Sequence, residues 1–183
     1  MNHRYLQKFQ IKDVVFLAIM SAVALATCAV MPLVISLQPL IFGISQLVTA
    51  LQIGVFFAIG LYKVRKPGSL LIMALMMGLI QLMMSPPMFL SSVLNGVLIE
   101  LIVLLLFRGY EKDAAVFVAA MLHTPLSLPF NYLYNRLVKG TDSPLAAVAD
   151  RAPLAAVGMT LAVVAVSALG ALIGIKIARE LKK

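Results

Sequence analysis

The sequence predicts an all-α integral membrane protein of six transmembrane helices, with the N- and C-termini cytoplasmic and residues 1–183 forming one domain. Three observations carry that prediction. Of the 183 residues, 62% are hydrophobic and only 12% charged, whereas soluble domains run nearer half and a quarter. Apolar stretches of roughly 20 residues, the length a helix needs to cross hydrocarbon, recur along the whole chain. The basic residues then fall on one side of those stretches.

The stretches are Asp13–Val34, Leu40–Tyr62, Ser69–Met84, Met88–Phe107, Ala114–Leu137 and Pro153–Ile177. Helix breakers stand between them. Pro32 and Pro39 bracket the first turn, Lys66-Pro67-Gly68 makes the second, Ser85-Pro86-Pro87 the third and Gly109 the fourth. Residues 140–153 form a longer polar connection before the last helix. No linker or internal repeat divides the chain. A soluble helical bundle would need polar faces on most of its helices, and these segments are apolar nearly all round.

Orientation follows from charge. Twelve of the 15 Lys and Arg lie at the N-terminus, in the second and fourth turns or at the C-terminus, and only Arg136, Lys139 and Arg151 lie on the other side. Basic residues mark cytoplasmic loops, so both ends are expected inside the cell membrane that the chain spans. The net charge of +8 thus reads as a topology signal and not as a nucleic-acid surface. A single cysteine, Cys28, excludes an internal disulfide framework. The run 25–28 is a poor lipoprotein box, because the apolar segment around it is too long for a signal-peptide core.

Polar residues inside hydrocarbon are expensive unless satisfied, so they are the candidate functional groups. Glu100 in the fourth helix and His123 in the fifth are the two ionisable side chains well inside the expected spans. His123, Ser127, Asn131 and Asn135 recur every fourth residue as a slanted polar stripe, accompanied by Tyr132. Pro125 and Pro129 free backbone carbonyls along the same stretch. The fourth helix adds Ser92 and Asn95, the third Gln81 and Ser85, and the second Gln46, Thr49 and Gln52. Asn95 and Glu100 sit about 140° apart on an ideal helix, so both cannot point squarely at one ligand. The expected binding residues are therefore Gln81, Asn95, Glu100, His123, Asn131, Tyr132 and Asn135. Each has a structural alternative, since amides and hydroxyls also hold membrane helices together.

No hydrolase, metalloprotease or nucleotide-binding motif is present, and isolated His and Glu positions make no metal site. We expect no cofactor, no metal and no catalytic residue. A Glu100/His123 pair nevertheless leaves open an intramembrane enzyme or a stand-alone proton-coupled transporter.

Four features resemble the substrate-binding S components of energy-coupling factor (ECF) vitamin transporters. They are the basic N-terminus leading through Lys12-Asp13 into the first helix, and the repeat Ala18-x3-Ala22-x3-Ala26. The turn Arg65-Lys66-Pro67-Gly68 and the ending Gly170-x3-Gly174-x-Lys176-x2-Arg179-Glu180-Leu181-Lys182-Lys183 complete the set. The resemblance implies a non-enzymatic subunit that captures a vitamin and relies on a transmembrane coupling subunit and two ATPases. It further implies that Ala18, Ala22 and Ala26 face the coupling subunit, and that Met31–Gln46 closes over bound ligand. The turn and ending are most similar to the branch associated with the hydroxymethylpyrimidine moiety of thiamine, with pyridoxine next. Independently, the absence of a deeply placed Arg or Lys argues for an uncharged ligand, because a carboxylate or phosphate is normally met by a cation.

Overall fold

In the computed structural model, which describes residues 8–28, 34, 36–37, 40–138, 140 and 143–182, the helices follow the breakers read from the sequence. The described helices are α1 (Ile11–Thr27), α2 (Ile44–Val64), α3 (Ser69–Leu82), α4 (Pro86–Phe107), α5 (Asp113–Val138), α6 (Pro144–Arg151) and α7 (Pro153–Glu180). Four of them, α2, α4, α5 and α7, are long and apolar enough to cross a bilayer, and α3 is a shorter apolar helix. The first span differs from expectation: the helix ends at Thr27, and residues 29–33 lie outside the described set. Of the expected lid, Met31–Gln46, residues 31–33, 35, 38 and 39 lie outside it too, and Ile44, Ser45 and Gln46 belong to α2. The connection expected to be simply polar contains α6, which starts on Pro144 at a first-turn position where the missing N–H costs nothing.

The turns use the chemistry the sequence advertised. Gly43 and Gly68 cap α2 and α3 with φ of 76° and 91°, a region that glycine enters freely. Pro86 and Pro87 open α4. Arg65 and Arg108, both left-handed, close α2 and α4.

α2 is the central helix. It packs against α1, α3, α5 and α7, while α4 bridges α3 and α5. Its seam with α7 is a backbone-to-backbone contact. A Cβ added at Gly170 would lie 2.4 Å from the Leu51 carbonyl oxygen, and one at Gly174 would lie 2.4 Å from that of Val55. On the facing helix, a Cβ at Gly54 would come 2.9 Å from the Ser167 carbonyl oxygen. Lipid tails are as apolar as Leu, so close approach of this kind, and not hydrophobicity, holds membrane helices together.

Hydroxyls supply the second adhesive. Pro125 lacks the N–H that would have bonded the Met121 carbonyl, and Ser167 of α7 donates its hydroxyl to that oxygen at 2.8 Å. Thus at Pro125, one of the two prolines inside α5, a neighbour takes over the lost bond. Ser21 of α1 and Ser92 of α4 likewise donate to the Met73 and Ala74 carbonyls of α3, at 3.2 and 2.9 Å.

Ion pairs tie the basic end. Lys66 bonds Asp13 at 2.6 Å. Asp113 receives both Arg65 and Arg179, linking α5 to the end of α2 and to α7. The alanine repeat of α1 turns away from the core, which takes Leu17, Ser21 and Ala24 instead. Ala18 is half-buried, and Ala22 and Ala26 are exposed.

The glycine seam yields a direct test. Gly170→Val should destabilise the protein by about 3 kcal/mol, the upper range for forcing extra volume into packed structure. Gly158→Ala, where a Cβ meets nothing within 4 Å, should leave the detergent melting curve unchanged. Equal melting temperatures for the two variants would remove the seam from the account.

Candidate binding site

A cavity of about 140 Å³ lies between α2, α3, α4 and α5, in the half of the bundle remote from the basic end. Its walls come from the first half of α2, the end of α3, the first half of α4 and the middle and end of α5. It reaches down to Ile53, Asn95 and His123, near the midpoints of their helices. Of the residues expected at a site, Gln81, Asn95, His123, Asn131 and Asn135 line this one cavity. Gln46, Thr49, Ser92 and Ser127 join them. Among the described residues, none that lines the cavity is Asp, Glu, Lys or Arg, and none is Phe, Tyr or Trp.

Several of the lining polar side chains already have partners. Asn135 donates to the Asn131 carbonyl at 2.8 Å and accepts from Ser143 at 3.0 Å. Ser45 donates to the Gln46 side chain at 2.8 Å, Thr49 to the Ser45 carbonyl at 2.9 Å and Ser127 to the Thr124 carbonyl at 2.7 Å. Three residues stand apart. Both polar atoms of the Asn95 amide, both imidazole nitrogens of His123 and the Thr124 hydroxyl are buried without a hydrogen-bond partner among the described residues. Asn95 is wholly buried. Each such orphan costs roughly 1–3 kcal/mol, so their convergence on one cavity is a concentrated expense. The His123 ring is held by contact with Phe57, centroid to centroid 4.4 Å.

Two expected site residues lie elsewhere. Glu100 is 6% exposed but serves the basic end of the bundle. One carboxylate oxygen accepts the Gly68 N–H at 2.6 Å and the other accepts the Tyr110 hydroxyl at 2.9 Å. Gly68 is the N-cap of α3, so a carboxylate from α4 fills the anion-favouring start of a helix that has no acidic residue of its own there. Tyr110, between α4 and α5, is fully buried, and burial together with the Glu100 carboxylate pushes its phenol above the usual range. Glu100 therefore does not pair with His123 in a common site. Tyr132 donates its hydroxyl to Asp150 of α6 at 2.7 Å, beside the Arg136–Asp150 ion pair at 3.0 Å, and is not a cavity residue. Among the described residues no three of His, Cys, Asp and Glu come together as a metal would require.

Thr124 escaped the sequence reading, which followed the four-residue repeat from His123. On an ideal helix Thr124 falls within about 20° of Asn131 and Asn135, seven and eleven residues on, so a face drawn back from the asparagines would have found it. Ser45 and Ser91 gave no comparable signal.

The fold and cavity define a multi-pass helical membrane protein with a polar, uncharged chamber inside its bundle. The family described as "Hypothetical bacterial integral membrane protein (Trep_Strep)" matches residues 11–183, and the chain belongs to that family. No curated protein and no solved structure matches it.

Glu100 and Asn95 should respond in opposite ways to truncation. Glu100→Ala strands the Gly68 N–H and the buried Tyr110 hydroxyl and should cost about 1–3 kcal/mol of stability. Asn95→Ala removes orphaned atoms and should leave the melting temperature unchanged or raise it. A fall for Asn95→Ala as large as that for Glu100→Ala would contradict this assignment of roles.

Proposed function

We propose that the chain is the substrate-capturing subunit of an ECF-type importer in the bacterial plasma membrane, taking up a small uncharged heterocycle. The observation that carries this reading is the trio Asn95, His123 and Thr124, buried and unpartnered around a charge-free cavity. A protein keeps such groups unsatisfied where a ligand completes them, since otherwise apolar residues would be more stable. An amide offers a donor and an acceptor side by side, the complement of a ring nitrogen next to an exocyclic amine. Hydroxymethylpyrimidine has that pattern and is the first candidate, with pyridoxine second. The ring would lie against Ile53, Met77 and Met88. Neither Glu100 nor Tyr132 contributes, in contrast to the expectation from sequence.

In this reading the protein has six spans with both termini cytoplasmic, and it performs no chemistry. The basic end faces the ATPases, and the cavity opens outward. Uptake depends on a transmembrane coupling subunit that meets the exposed edge of α1. Ala22 and Ala26, small and outward-facing, leave room for another backbone to approach closely.

Mass spectrometry of small molecules that co-purify with the detergent-solubilised protein tests the central claim. A heterocycle of this class should accompany the wild type and be lost from Asn95→Ala. Calorimetric affinity for hydroxymethylpyrimidine or pyridoxine should fall about tenfold or more in Asn95→Ala and in His123→Ala, the loss expected for one or two buried hydrogen bonds. Unchanged affinity in both variants, or a tightly held lipid as the only companion, would overturn the site. Ala22→Trp should spare binding by the isolated chain but abolish co-purification with the coupling subunit. Normal assembly of that variant would remove α1 as the contact.

A further inference from the structure

A second cavity, of about 270 Å³, opens at the basic end between α1, α2 and α7. Its lining is mostly apolar, with Phe16 of α1, Ile59 and Tyr62 of α2, Ala178 of α7 and Leu181 just beyond it, and it includes Arg65, which is paired with Asp113. Its rim is cationic, with Lys63 from the last turn of α2 and Lys182 facing the same space. We propose that this groove is a binding site for an anionic phospholipid, with the headgroup phosphate between Lys63 and Lys182 and an acyl chain along Phe16 and Ile59.

Charge accounting separates these two lysines from their basic neighbours. Lys66 is committed to Asp13, while Arg65 and Arg179 are committed to Asp113. Lys63 and Lys182 have no ion pair among the described residues, and no acidic residue lines the cavity. Two uncompensated cations over one apolar cleft match a molecule that has an anionic head and a hydrocarbon tail. A soluble phosphate would use the lysines and leave the apolar walls idle. A neutral lipid would use the walls and leave the lysines idle. Leu181, which lines the groove, is 76% exposed, so a hydrocarbon chain laid there would cover apolar surface that is now bare. α1 and α7 both pack on α2, and the acyl chain would fill the cleft that the two helices leave beside it.

The test is native mass spectrometry of the full-length protein, equilibrated with equal amounts of phosphatidylglycerol and phosphatidylcholine. Wild type should retain phosphatidylglycerol preferentially. Lys63→Gln and Lys182→Gln should each reduce that preference roughly fivefold, the effect of one basic residue near an anionic lipid surface, and the double variant should approach no preference. Lys112→Gln removes an exposed base that does not line the groove and should leave the preference intact. Melting curves taken alongside establish that the variants are folded. Equal retention of the two lipids by wild type would overturn the proposal, as would a loss in Lys112→Gln equal to that in Lys63→Gln. Glycerol phosphate that stabilises the protein as well as phosphatidylglycerol does would also overturn it, by reducing the site to a headgroup pocket without a role for the acyl chain.

Discussion

Inside hydrocarbon no water is available to complete a hydrogen bond, and nearly every feature of this protein can be traced to that constraint. Ser167 donates to the carbonyl that Pro125 orphaned, Ser21 and Ser92 bond carbonyls of α3, and Glu100 meets the start of the same helix. None of these contacts is strong by itself. Among the described residues they leave few buried polar side chains with an unpaired atom, Gln52, Ser69, Asn95, His123 and Thr124, and the last three carry information because they converge on one cavity. In a less economical interior they would be lost among other imperfections.

The glycine seam complements this polar bookkeeping. Gly54, Gly170 and Gly174 let α2 and α7 meet backbone to backbone, and that fixes α2 at the centre with faces left for α1, α3 and α5. The first half of α2 presents Ser45, Thr49 and Ile53 to the cavity, while its last turns carry Ile59 and Lys63 into the groove at the opposite end. The same helix thereby shapes an uncharged chamber and a cationic cleft. Its length separates them, since Thr49 and Lys63 lie 14 residues apart on one helix, or roughly 20 Å of rise.

Much of this architecture was readable from residue order. The prolines at 86 and 87, the Lys66-Pro67-Gly68 turn and the apolar runs located α2, α3, α4, α5 and α7 to within a few residues, because breakers and hydrocarbon length are local signals. The polar stripe of α5 also pointed toward the cavity. Partners were not readable. Nothing near Glu100 in sequence reveals that Gly68, 32 residues earlier, would present its N–H to the carboxylate. Tyr132 looked like a cavity residue because it neighbours Asn131, yet one step along a helix turns a side chain by about 100°, and that step carries it to Asp150 of α6. A helix inside the long connection was equally hidden, since α6 is short and its segment reads as polar. Sequence thus identified which groups were costly to bury, and three-dimensional packing decided which costs had been met.

The distribution of charge has a consequence for selectivity. Lining side chains without full charge cannot draw an ion from water, so a ligand in this chamber must be retained by hydrogen bonds and by exclusion of solvent. Coulombic attraction is long-ranged and forgiving, whereas a hydrogen bond fails within an ångström or at a poor angle. A site built to satisfy a buried amide, an imidazole and a hydroxyl together discriminates sharply against any analogue lacking one matching group, because that analogue leaves the protein atom unpaired again. Charged relatives of such a ligand are penalised differently: a phosphorylated form would enter with two negative charges and meet no cation. In the function proposed above, the arrangement would favour a neutral ligand over charged analogues without any contact dedicated to excluding them. Most of the lysines and arginines are held at the other end, and Arg136, at the cavity end, is paired with Asp150.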